Sequence, residues 1–513
     1  MRIIPIGQAP VSIEDVVDLS RRRAVIELSD SPEFRQRIAR GAELLDRILE
    51  EDGVIYGVTT GYGDSCTVDV PANMVWELPI HLTRFHGCGM GQHLSEESGR
   101  AVLIARLASL CRGYSGVSVA LLELLATLIE KNIVPLIPEE GSVGASGDLT
   151  PLSYVAAVLI GERQVIVEGE TRETSEVFRE QRIEPHTLRP KEALALMNGT
   201  AVMTGLACIA FSRAEYLTRL ASRITSFSAL ALKSNAFHFS KELFDVKPHP
   251  GQSRIAYWIR SDLEHEEMPR NPQRLQDRYS IRCAPHVIGV LADALPFFRS
   301  QIETELNSSN DNPIIDPDHE LVLHGGHFYG GHIAFAMDTM KIAVANIADL
   351  LDRQMALLVD TKFNNGLPSN LSGAEPDRAM INHGFKAVQI GVSAWTAEAL
   401  KLTMPASVFS RSTECHNQDK VSMGTISARD CLRILELTEQ VAAAVLLASS
   451  QALELRLRSG ELLQSHLVPA LLHMKESLFS EFEFLAEDRP LEGDLRHFTA
   501  KIRSQGWALY DEV

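Results

Sequence analysis

Apolar positions recur every three to four residues through much of the chain, which is the period of an amphipathic helix. Between residues 337 and 358 the apolar positions form one stripe: Met337, Met340, Val344, Ile347, Leu351, Met355 and Leu358. From residue 441 to residue 448 the chain is apolar almost all round. Such a segment predicts a helix that is buried among other helices.

Helix boundaries are also visible in the sequence. Ser31 and Pro32 combine an N-cap serine with proline at the first helical position, and Gly53 is predicted to close that helix. Ser427 and Asp430 have the spacing of a capping box and predict the start of a long helix.

Strand signals are few. Residues 164–168 and 320–323 each predict a short hairpin arm, and no alternation of strands and helices supports a βαβ sheet. We therefore predict a mainly α fold, a long-helix bundle with glycine-rich loops. A change of pattern near residue 210 predicts a loop-rich part over 1–210, followed by a long-helix part over 211–513.

Charge and cysteine usage restrict the class of protein. The net charge of −18 over 513 residues argues against a nucleic-acid binder, because no broad basic surface is available. The seven cysteines are scattered without a CxxC pair, which fits a reducing compartment rather than a disulfide framework. The uncharged stretch 193–212 is about as long as a membrane span, but it contains Asn198, Gly199 and Thr200 and is predicted to be buried interior. We expect a cytoplasmic protein without a signal peptide or membrane association.

The segment 141–151, Gly-Ser-Val-Gly-Ala-Ser-Gly-Asp-Leu-Thr-Pro, carries the most informative chemistry. One interpretation is a turn followed by a helix N-terminus at Asp148, whereas the glycine spacing fits neither phosphate-loop pattern. A second interpretation starts from the Gly147 amide, which no side chain crowds and which can attack the Ala145 carbonyl. Loss of water from the resulting ring and from Ser146 then leaves an electrophilic methylene group, which no standard side chain supplies.

These residues resemble the signature of the aromatic amino-acid ammonia-lyases and aminomutases, which include histidine, phenylalanine and tyrosine ammonia-lyases. The resemblance extends over roughly residues 5–460. It includes the motifs Tyr56-Gly-Val-Thr-Thr-Gly61, Met197-Asn-Gly-Thr200, Tyr279-Ser-Ile-Arg282, Leu306-Asn-Ser-Ser-Asn-Asp-Asn-Pro313 and Asn417-Gln-Asp-Lys-Val-Ser-Met-Gly424. It implies an ammonia-lyase/fumarase-like helical fold. It also implies a methylidene-imidazolone (MIO) group made from Ala145, Ser146 and Gly147, with no external cofactor.

The resemblance also implies roles for single residues. Tyr56 would remove the β-proton of the substrate, and Arg282, in a short stretch with Gln276, would bind its carboxylate. Tyr279 and Asn198 would hydrogen-bond around the prosthetic group. Read without the family, a packed tyrosine is the better interpretation of Tyr56, and a surface or inter-helix salt bridge is the commoner role of an arginine such as Arg282.

The loops hold further candidates and some departures from the family pattern. Asn310 would help to hold the carboxylate, although its sequence is also typical of a loop or helix cap. Phe328 would line the pocket. Its neighbours His327 and Tyr329 differ from the usual Asn and His, and Thr59 and Tyr62 differ from the usual Asn and Phe. The histidines at 324, 327 and 332 allow a metal-site alternative, but four glycines among nine residues make a poor frame for ligands.

Two places bear on the choice of aromatic ring. Phe85 and His86 form one, and His86 matches the histidine of histidine lyases. Gln418 is the other, where those lyases usually carry a glutamate that pairs with imidazolium. A buried polar partner beside a bare phenyl ring loses a hydrogen bond at roughly 1–3 kcal/mol. His86 with Gln418 therefore favours tyrosine over phenylalanine and over histidine.

The resemblance implies non-oxidative deamination of an L-aromatic amino acid, with L-tyrosine as the favoured substrate and trans-4-coumarate and ammonia as its products. It implies a homotetramer whose active sites are shared between subunits. A tyrosine 2,3-aminomutase, or a phenylalanine or histidine ammonia-lyase, remains an alternative within the family. An inactive helical scaffold and a metal-dependent hydrolase are alternatives outside it.

Overall fold

The computed structural model describes residues 1–51, 53–264 and 274–510, and this part of the chain is mainly α, as predicted. The strands are β1 (Arg2–Ile6), β2 (Ala24–Leu28), β3 (Met90–His93), β4 (Val134–Pro135), β5 (Pro138–Glu140), β6 (Gln164–Val167), β7 (Glu170–Glu173), β8 (Ile314–Asp316) and β9 (Leu321–Leu323). The helices are α1 (Ile13–Ser20), α2 (Pro32–Glu50), α3 (Leu78–Phe85), α4 (Glu96–Leu110), α5 (Val119–Glu130), α6 (Leu149–Leu159), α7 (Thr174–Gln181), α8 (Glu192–Met197), α9 (Ala201–Ala231), α10 (Lys241–Asp245), α11 (Pro250–Leu263), α12 (Tyr279–Arg282), α13 (Ala284–Leu306), α14 (Gly331–Val359), α15 (Lys386–Lys401), α16 (Gly424–Arg458), α17 (Pro469–Phe479) and α18 (Glu492–Arg503).

The chain divides into two compact units. Unit 1 comprises Met1–Ser212, Phe297–Asp338 and Pro405–Arg429, and it holds all the strands given above. Unit 2 comprises Arg213–Pro296, Thr339–Met404 and Asp430–Val513. The sequence-based parts 1–210 and 211–513 stay a prediction.

The strands of unit 1 form small sheets. The predicted arm at 164–168 is confirmed as β6, which pairs antiparallel with β7, and the arm at 320–323 is confirmed as β9, which pairs with β8. One expectation was wrong: β1 and β2 pair in parallel on either side of α1, so one small βαβ arrangement exists. Each strand has only five residues, too few for the alternation to be visible in the sequence.

Helix starts follow the capping chemistry in one place and depart from it in another. The Ser31 hydroxyl accepts from the Phe34 amide, which confirms the predicted start of α2. The predicted start at Ser427 was wrong, because α16 already begins at Gly424. The Ser427 hydroxyl donates to the Met423 carbonyl within the first turn instead of capping. The helix begins earlier because Met423 adopts a left-handed conformation, at φ 62°.

The long helices carry the core. All seven apolar residues of the predicted stripe in α14 are buried, and so is every residue from 441 to 448 in α16. Residues 193–211 are buried as well, which confirms that this uncharged stretch is protein interior. Among the described residues, one helical run, Tyr279–Leu306, is long and apolar enough to cross a membrane, and half of its most apolar window is buried in the protein. The core helix of a soluble protein has these same properties.

Candidate active site

The loop before α6 brings the Ala-Ser-Gly segment against a second glycine turn. Gly147 has φ +71° and pairs with Gly199, which follows α8. A Cβ atom on Gly147 would lie 2.0 Å from the Gly199 carbonyl oxygen. Only glycine permits this approach, and the Asp148 amide then donates to the same oxygen at 2.7 Å.

Two donors converge on the carbonyl oxygen of Ser146. The Asn198 side-chain amide donates to it at 3.1 Å, and the Gly199 backbone amide donates at 3.2 Å. Asn198 directly follows α8 as its C-cap residue, so the end of the helix places both donors. The Asn198 Oδ1 atom is buried, and no residue in the described part of the chain donates to it.

A fully buried arginine lies behind these donors. Arg106 of α4 donates from Nη1 to the Asn198 carbonyl at 3.1 Å and from Nη2 to the Ser109 hydroxyl at 3.2 Å. Burial lowers the pKa of Arg106 to about 10, so the side chain stays a cation at neutral pH. A Cβ atom on Gly199 would lie 2.3 Å from Arg106 Nη1, so only glycine at 199 admits the guanidinium.

Asn310 lies beside the same glycine turn, with both ends of its amide bound by protein. Its Nδ2 donates to the Thr200 hydroxyl at 2.8 Å, and its Oδ1 accepts from the Ser109 hydroxyl at 3.2 Å. Thr200 in turn donates to Glu305 at 2.5 Å, and burial raises the pKa of that carboxyl. The structure thus places Asn310 against the turn at 199–200, and its predicted contact with substrate carboxylate stays a prediction.

A buried ion pair fixes both asparagine-bearing segments. Lys191 directly precedes α8, and Asp311 directly follows Asn310. The Lys191 ammonium donates to Asp311 at 2.6 Å and to the Ser115 carbonyl at 2.7 Å, and both charged side chains are fully buried. One ion pair therefore holds the segments that carry Asn198 and Asn310.

Asp148, which precedes α6, joins three parts of unit 1. Its carboxylate accepts from the Met203 amide at 2.9 Å, from the Ser142 hydroxyl at 3.3 Å and from the Thr425 hydroxyl. Burial raises the pKa of Asp148 to about 6. The carboxylate ties the loop at 141–148 to the starts of α9 and α16.

The loop at 410–420 contributes Gln418. Its amide nitrogen donates to the Ser146 hydroxyl at 3.1 Å, and its Oε1 accepts from the Thr413 hydroxyl at 2.9 Å. The adjacent Glu414 carboxylate accepts from the Asp64 amide, with oxygen distances of 2.9 and 3.1 Å. This contact joins the loop of Gln418 to the loop that carries Tyr56.

Tyr56 lies half-buried in that second loop. Its hydroxyl oxygen accepts from the Gly63 amide at 2.7 Å. Burial is the largest influence on the Tyr56 pKa and raises it; the Gly63 hydrogen bond opposes this rise and the Glu414 charge adds to it. Of the departures from the family pattern, Thr59 accepts from the Ile55 amide at 2.9 Å and so braces the loop, and Tyr62 packs its half-buried ring on Gly57.

Phe85 and His86 end α3. The His86 Nδ1 atom lies 3.0 Å from the Leu82 carbonyl, which only accepts, so Nδ1 carries the proton and Nε2 is left as an acceptor. The Phe85 ring is exposed and lies 4.2 Å from the His86 ring, centroid to centroid. Burial lowers the pKa of His86 and keeps the imidazole neutral.

Phe328 is half-buried in the loop between β9 and α14, and the three histidines of this loop are exposed. No group of three or more His, Cys, Asp or Glu side chains within the described part of the chain is arranged to hold a metal ion. The metal alternative therefore gains no support from the structure.

The remaining candidates lie in unit 2. The Arg282 guanidinium stacks over the Tyr279 ring at 4.6 Å and donates to the Asp277 carbonyl at 3.0 Å. Over residues 1–51, 53–264 and 274–510, no carboxylate pairs with Arg282, so the salt-bridge alternative is not observed. Tyr279 is 72% exposed, and Gln276 is exposed as well.

In unit 1, the structure therefore brings Ala145–Gly147, Asn198, Asn310 and Gln418 into one cluster. It joins the Tyr56 loop to this cluster through Glu414. Sequence reasoning missed Arg106 and Glu414. The signal for Arg106 was a lone charge within the apolar run 101–110, whereas nothing in the sequence singled out Glu414.

Comparisons with known proteins find relatives over most of the chain. The family model described as aromatic amino acid lyase matches residues 11–473. The chain is 38% identical over 463 residues to a tyrosine 2,3-aminomutase of Chondromyces crocatus, and the match covers 86% of each protein. It is 36% identical over 458 residues to a histidine ammonia-lyase of Caldanaerobacter subterraneus subsp. tengcongensis, with 89% of each covered.

Solved structures match over nearly the whole chain. A crystal structure of tyrosine aminomutase from Streptomyces globisporus matches with a TM-score of 0.91 at 33% identity, over 98% of this chain and 97% of that one. A histidine ammonia-lyase from Trypanosoma cruzi matches with a TM-score of 0.89 at 30% identity, over 99% and 94%. The mainly helical fold is therefore shared with these enzymes.

Proposed function

Because the chain belongs to the aromatic amino acid lyase family and is a carbon–nitrogen lyase, we propose that it deaminates L-tyrosine to trans-4-coumarate and ammonia. The family is MIO-dependent in general, and we propose that Ala145, Ser146 and Gly147 form this group here. Supporting this, Gly147 has no side chain beside its amide, and two donors meet the Ser146 carbonyl oxygen. These residues fit the group.

The formation of the group balances as two losses of water. The Gly147 nitrogen bonds to the Ala145 carbonyl carbon and that carbonyl oxygen leaves as water; the Ser146 hydroxyl then leaves with its α-hydrogen. The finished group supplies an electrophilic methylidene carbon for the substrate amine. The donors from Asn198 and Gly199 then stabilise negative charge on the Ser146 oxygen.

The other residues bind and orient the substrate. Tyr56, as phenolate, takes the β-proton, and the Gly63 amide stabilises that phenolate. Arg282, without a carboxylate partner in the described part of the chain, binds the substrate carboxylate through its planar fork. The unpartnered Asn198 Oδ1 accepts from the substrate amine.

Tyrosine is favoured by one observation, the His86 tautomer. With Nδ1 donating to Leu82, the neutral ring offers Nε2 as an acceptor, and the phenol hydroxyl donates to it. A phenyl ring would leave this acceptor unpaired. Gln418, being neutral, provides no charge to pair with an imidazolium, which disfavours histidine.

A tyrosine 2,3-aminomutase is the second candidate. The relatives at 38% and 33% identity are named tyrosine aminomutases, which favours this reaction as the alternative. In an aminomutase, ammonia returns to the β-carbon before the arylacrylate leaves, which depends on how long the product stays bound.

We also propose a cytoplasmic homotetramer with active sites shared between subunits, and no nucleic-acid or membrane partner. Large apolar side chains are exposed on the helices of unit 2, among them Val290 of α13, Ile342 of α14 and Ile390 of α15. Exposed apolar residues of this kind favour burial against other copies of the chain. Light scattering of the purified protein measures the mass of the assembly.

One experiment tests the activity. Purified protein is incubated separately with L-tyrosine, L-phenylalanine and L-histidine, with Ser146→Ala as the control. Arylacrylate absorbance, released ammonia and β-amino acid are measured. Coumarate from tyrosine, lost in the control, supports the lyase. Dominant β-tyrosine identifies an aminomutase, urocanate refutes the specificity, and no product from any of the three refutes the proposal and favours an inactive scaffold.

A further inference from the structure

Arg106 and the Ser146 carbonyl oxygen bind opposite ends of one peptide group. Arg106 donates to the carbonyl of Asn198 at 3.1 Å, and the amide of that same peptide, on Gly199, donates to Ser146 at 3.2 Å. A cation on the carbonyl end of a peptide draws electrons toward oxygen and makes the N–H a stronger donor. The charge of Arg106 therefore acts on the Ser146 oxygen without touching it.

That oxygen is where charge develops in the proposed reaction. In the group formed from residues 145–147, the methylidene carbon derives from the Ser146 side chain and is conjugated with the Ser146 carbonyl. Addition of a nucleophile to that carbon would place negative charge on this oxygen. A stronger donor at the oxygen lowers the barrier to that addition.

The hydrogen bonds of Arg106 differ from those of a buried arginine with a structural role. Arg456 of unit 2 is 2% exposed and donates to three carbonyls, of Ala231, Asn364 and Asn365, and to Glu461. Arg106 is fully buried, makes two hydrogen bonds, and its Nε has no partner among the described residues. A buried cation with an unused donor is costly for stability, so a functional role accounts for it better than packing does.

We propose that Arg106 is a positioning residue that strengthens the electrophile by polarising the Asn198–Gly199 peptide. This inference rests on the proposed MIO-dependent function. It assigns Arg106 no contact with substrate. Gly199 belongs to the same device, because a side chain there would collide with Arg106 Nη1 and with Asn310 Oδ1.

The test compares Arg106→Gln, which keeps an N–H donor but loses the charge, with Arg106→Lys, which keeps the charge. Arg456→Gln is the matched control, because it removes a buried arginine that binds backbone carbonyls of unit 2. Circular dichroism and thermal unfolding measure folding and stability. Mass spectrometry of the peptide that contains residues 145–147 measures the fraction lighter by two water molecules.

The decisive readout needs no amino-acid substrate. Cyanide is added to each protein, and the loss of the near-ultraviolet band is followed and divided by the fraction that carries the group. We expect Arg106→Gln to react about tenfold more slowly than the unsubstituted protein, Arg106→Lys within about twofold, and Arg456→Gln at an unchanged rate.

Equal rates for Arg106→Gln and the unsubstituted protein would overturn the inference, as would an equal slowing in Arg456→Gln. If Arg106→Gln does not fold, Arg106→Lys is the deciding variant. A cyanide reaction that slows in Arg106→Lys only in proportion to its lower thermal stability contradicts the inference. An unsubstituted protein that lacks both the band and the mass change refutes the proposed function itself, which is a separate outcome.

Discussion

The Gln418 side-chain amide donates to the Ser146 hydroxyl at 3.1 Å. The residue that bears on ring choice is thus tied to the serine expected to yield the methylidene carbon. If that hydroxyl leaves as water, as proposed, the Gln418 N–H would lose its partner and become available to a ligand. Gln418 could therefore contact a substrate through this N–H only after the Ser146 hydroxyl has been lost.

Gln418→Glu tests this relationship. A carboxylate at this position pairs with an imidazolium, so we expect kcat/KM for L-histidine to rise relative to L-tyrosine by about tenfold or more. Steady-state kinetics with both amino acids measure the ratio. Thr413→Val, which removes only the Gln418 Oε1 partner, is the control and should not favour histidine. An unchanged ratio in Gln418→Glu would contradict the role of this position.

His86→Leu tests the phenol partner. Because the Nε2 acceptor disappears, we expect kcat/KM for L-tyrosine to fall about tenfold to a hundredfold, the equivalent of roughly 1–3 kcal/mol. Phenylalanine should be converted at least as well as before. His81→Leu on the exposed side of the same helix is the matched control. A uniform loss with both substrates would point to a role in packing alone.

The pH profile tests Tyr56 as the base. Burial raises the pKa of Tyr56 above its ordinary value near 10, so the phenolate is a minor species at neutral pH and increases with pH. Between about pH 7 and about pH 9 we expect kcat/KM to increase with pH, by up to about tenfold per pH unit. Tyr56→Phe should abolish the reaction, whereas Tyr62→Phe in the same loop should leave the profile unchanged. A flat profile would exclude the phenolate.

Breaking the ion pair of Lys191 and Asp311 tests whether the pair positions the site residues or only stabilises the fold. Asp311→Asn leaves a buried cation unpaired, and we expect about 3–5 kcal/mol lower stability together with a lower kcat. Glu439→Gln breaks the buried pair with Arg213 in unit 2 and should cost similar stability without lowering kcat per folded molecule. Chemical denaturation and kinetics measure both quantities. If the two variants lose kcat equally, the pair holds the fold and not the site.

The sequence predicted the fold class because a helical period needs only local information. The buried stripe of α14 and the starting serine of α2 are read directly from spacing and capping residues. The start of α16 was predicted three residues late. Met423, just before the helix, takes a left-handed conformation, which a methionine in the sequence does not predict. The pair of β1 and β2 was missed because its pairing joins segments that are each only five residues long.

The sequence predicted only those residues of the site that lie in recognisable motifs. Asn198 and Gln418 lie against Ser146, as a shared site requires, although their motifs are far apart in the chain. Arg106 carries no motif, and its importance follows from which carbonyl it reaches through the fold. Long-range contacts of this kind need the three-dimensional arrangement.

The pairing of Gly147 with Gly199 joins segments 52 residues apart, so it exists only after this part of the chain has folded. We therefore expect the newly synthesised polypeptide to be chemically inert and to acquire its reactivity as the last event of maturation. A molecule that fails to fold presents no electrophile to the thiols of its surroundings. Under the proposed function, folding therefore controls when the backbone segment 145–147 becomes reactive.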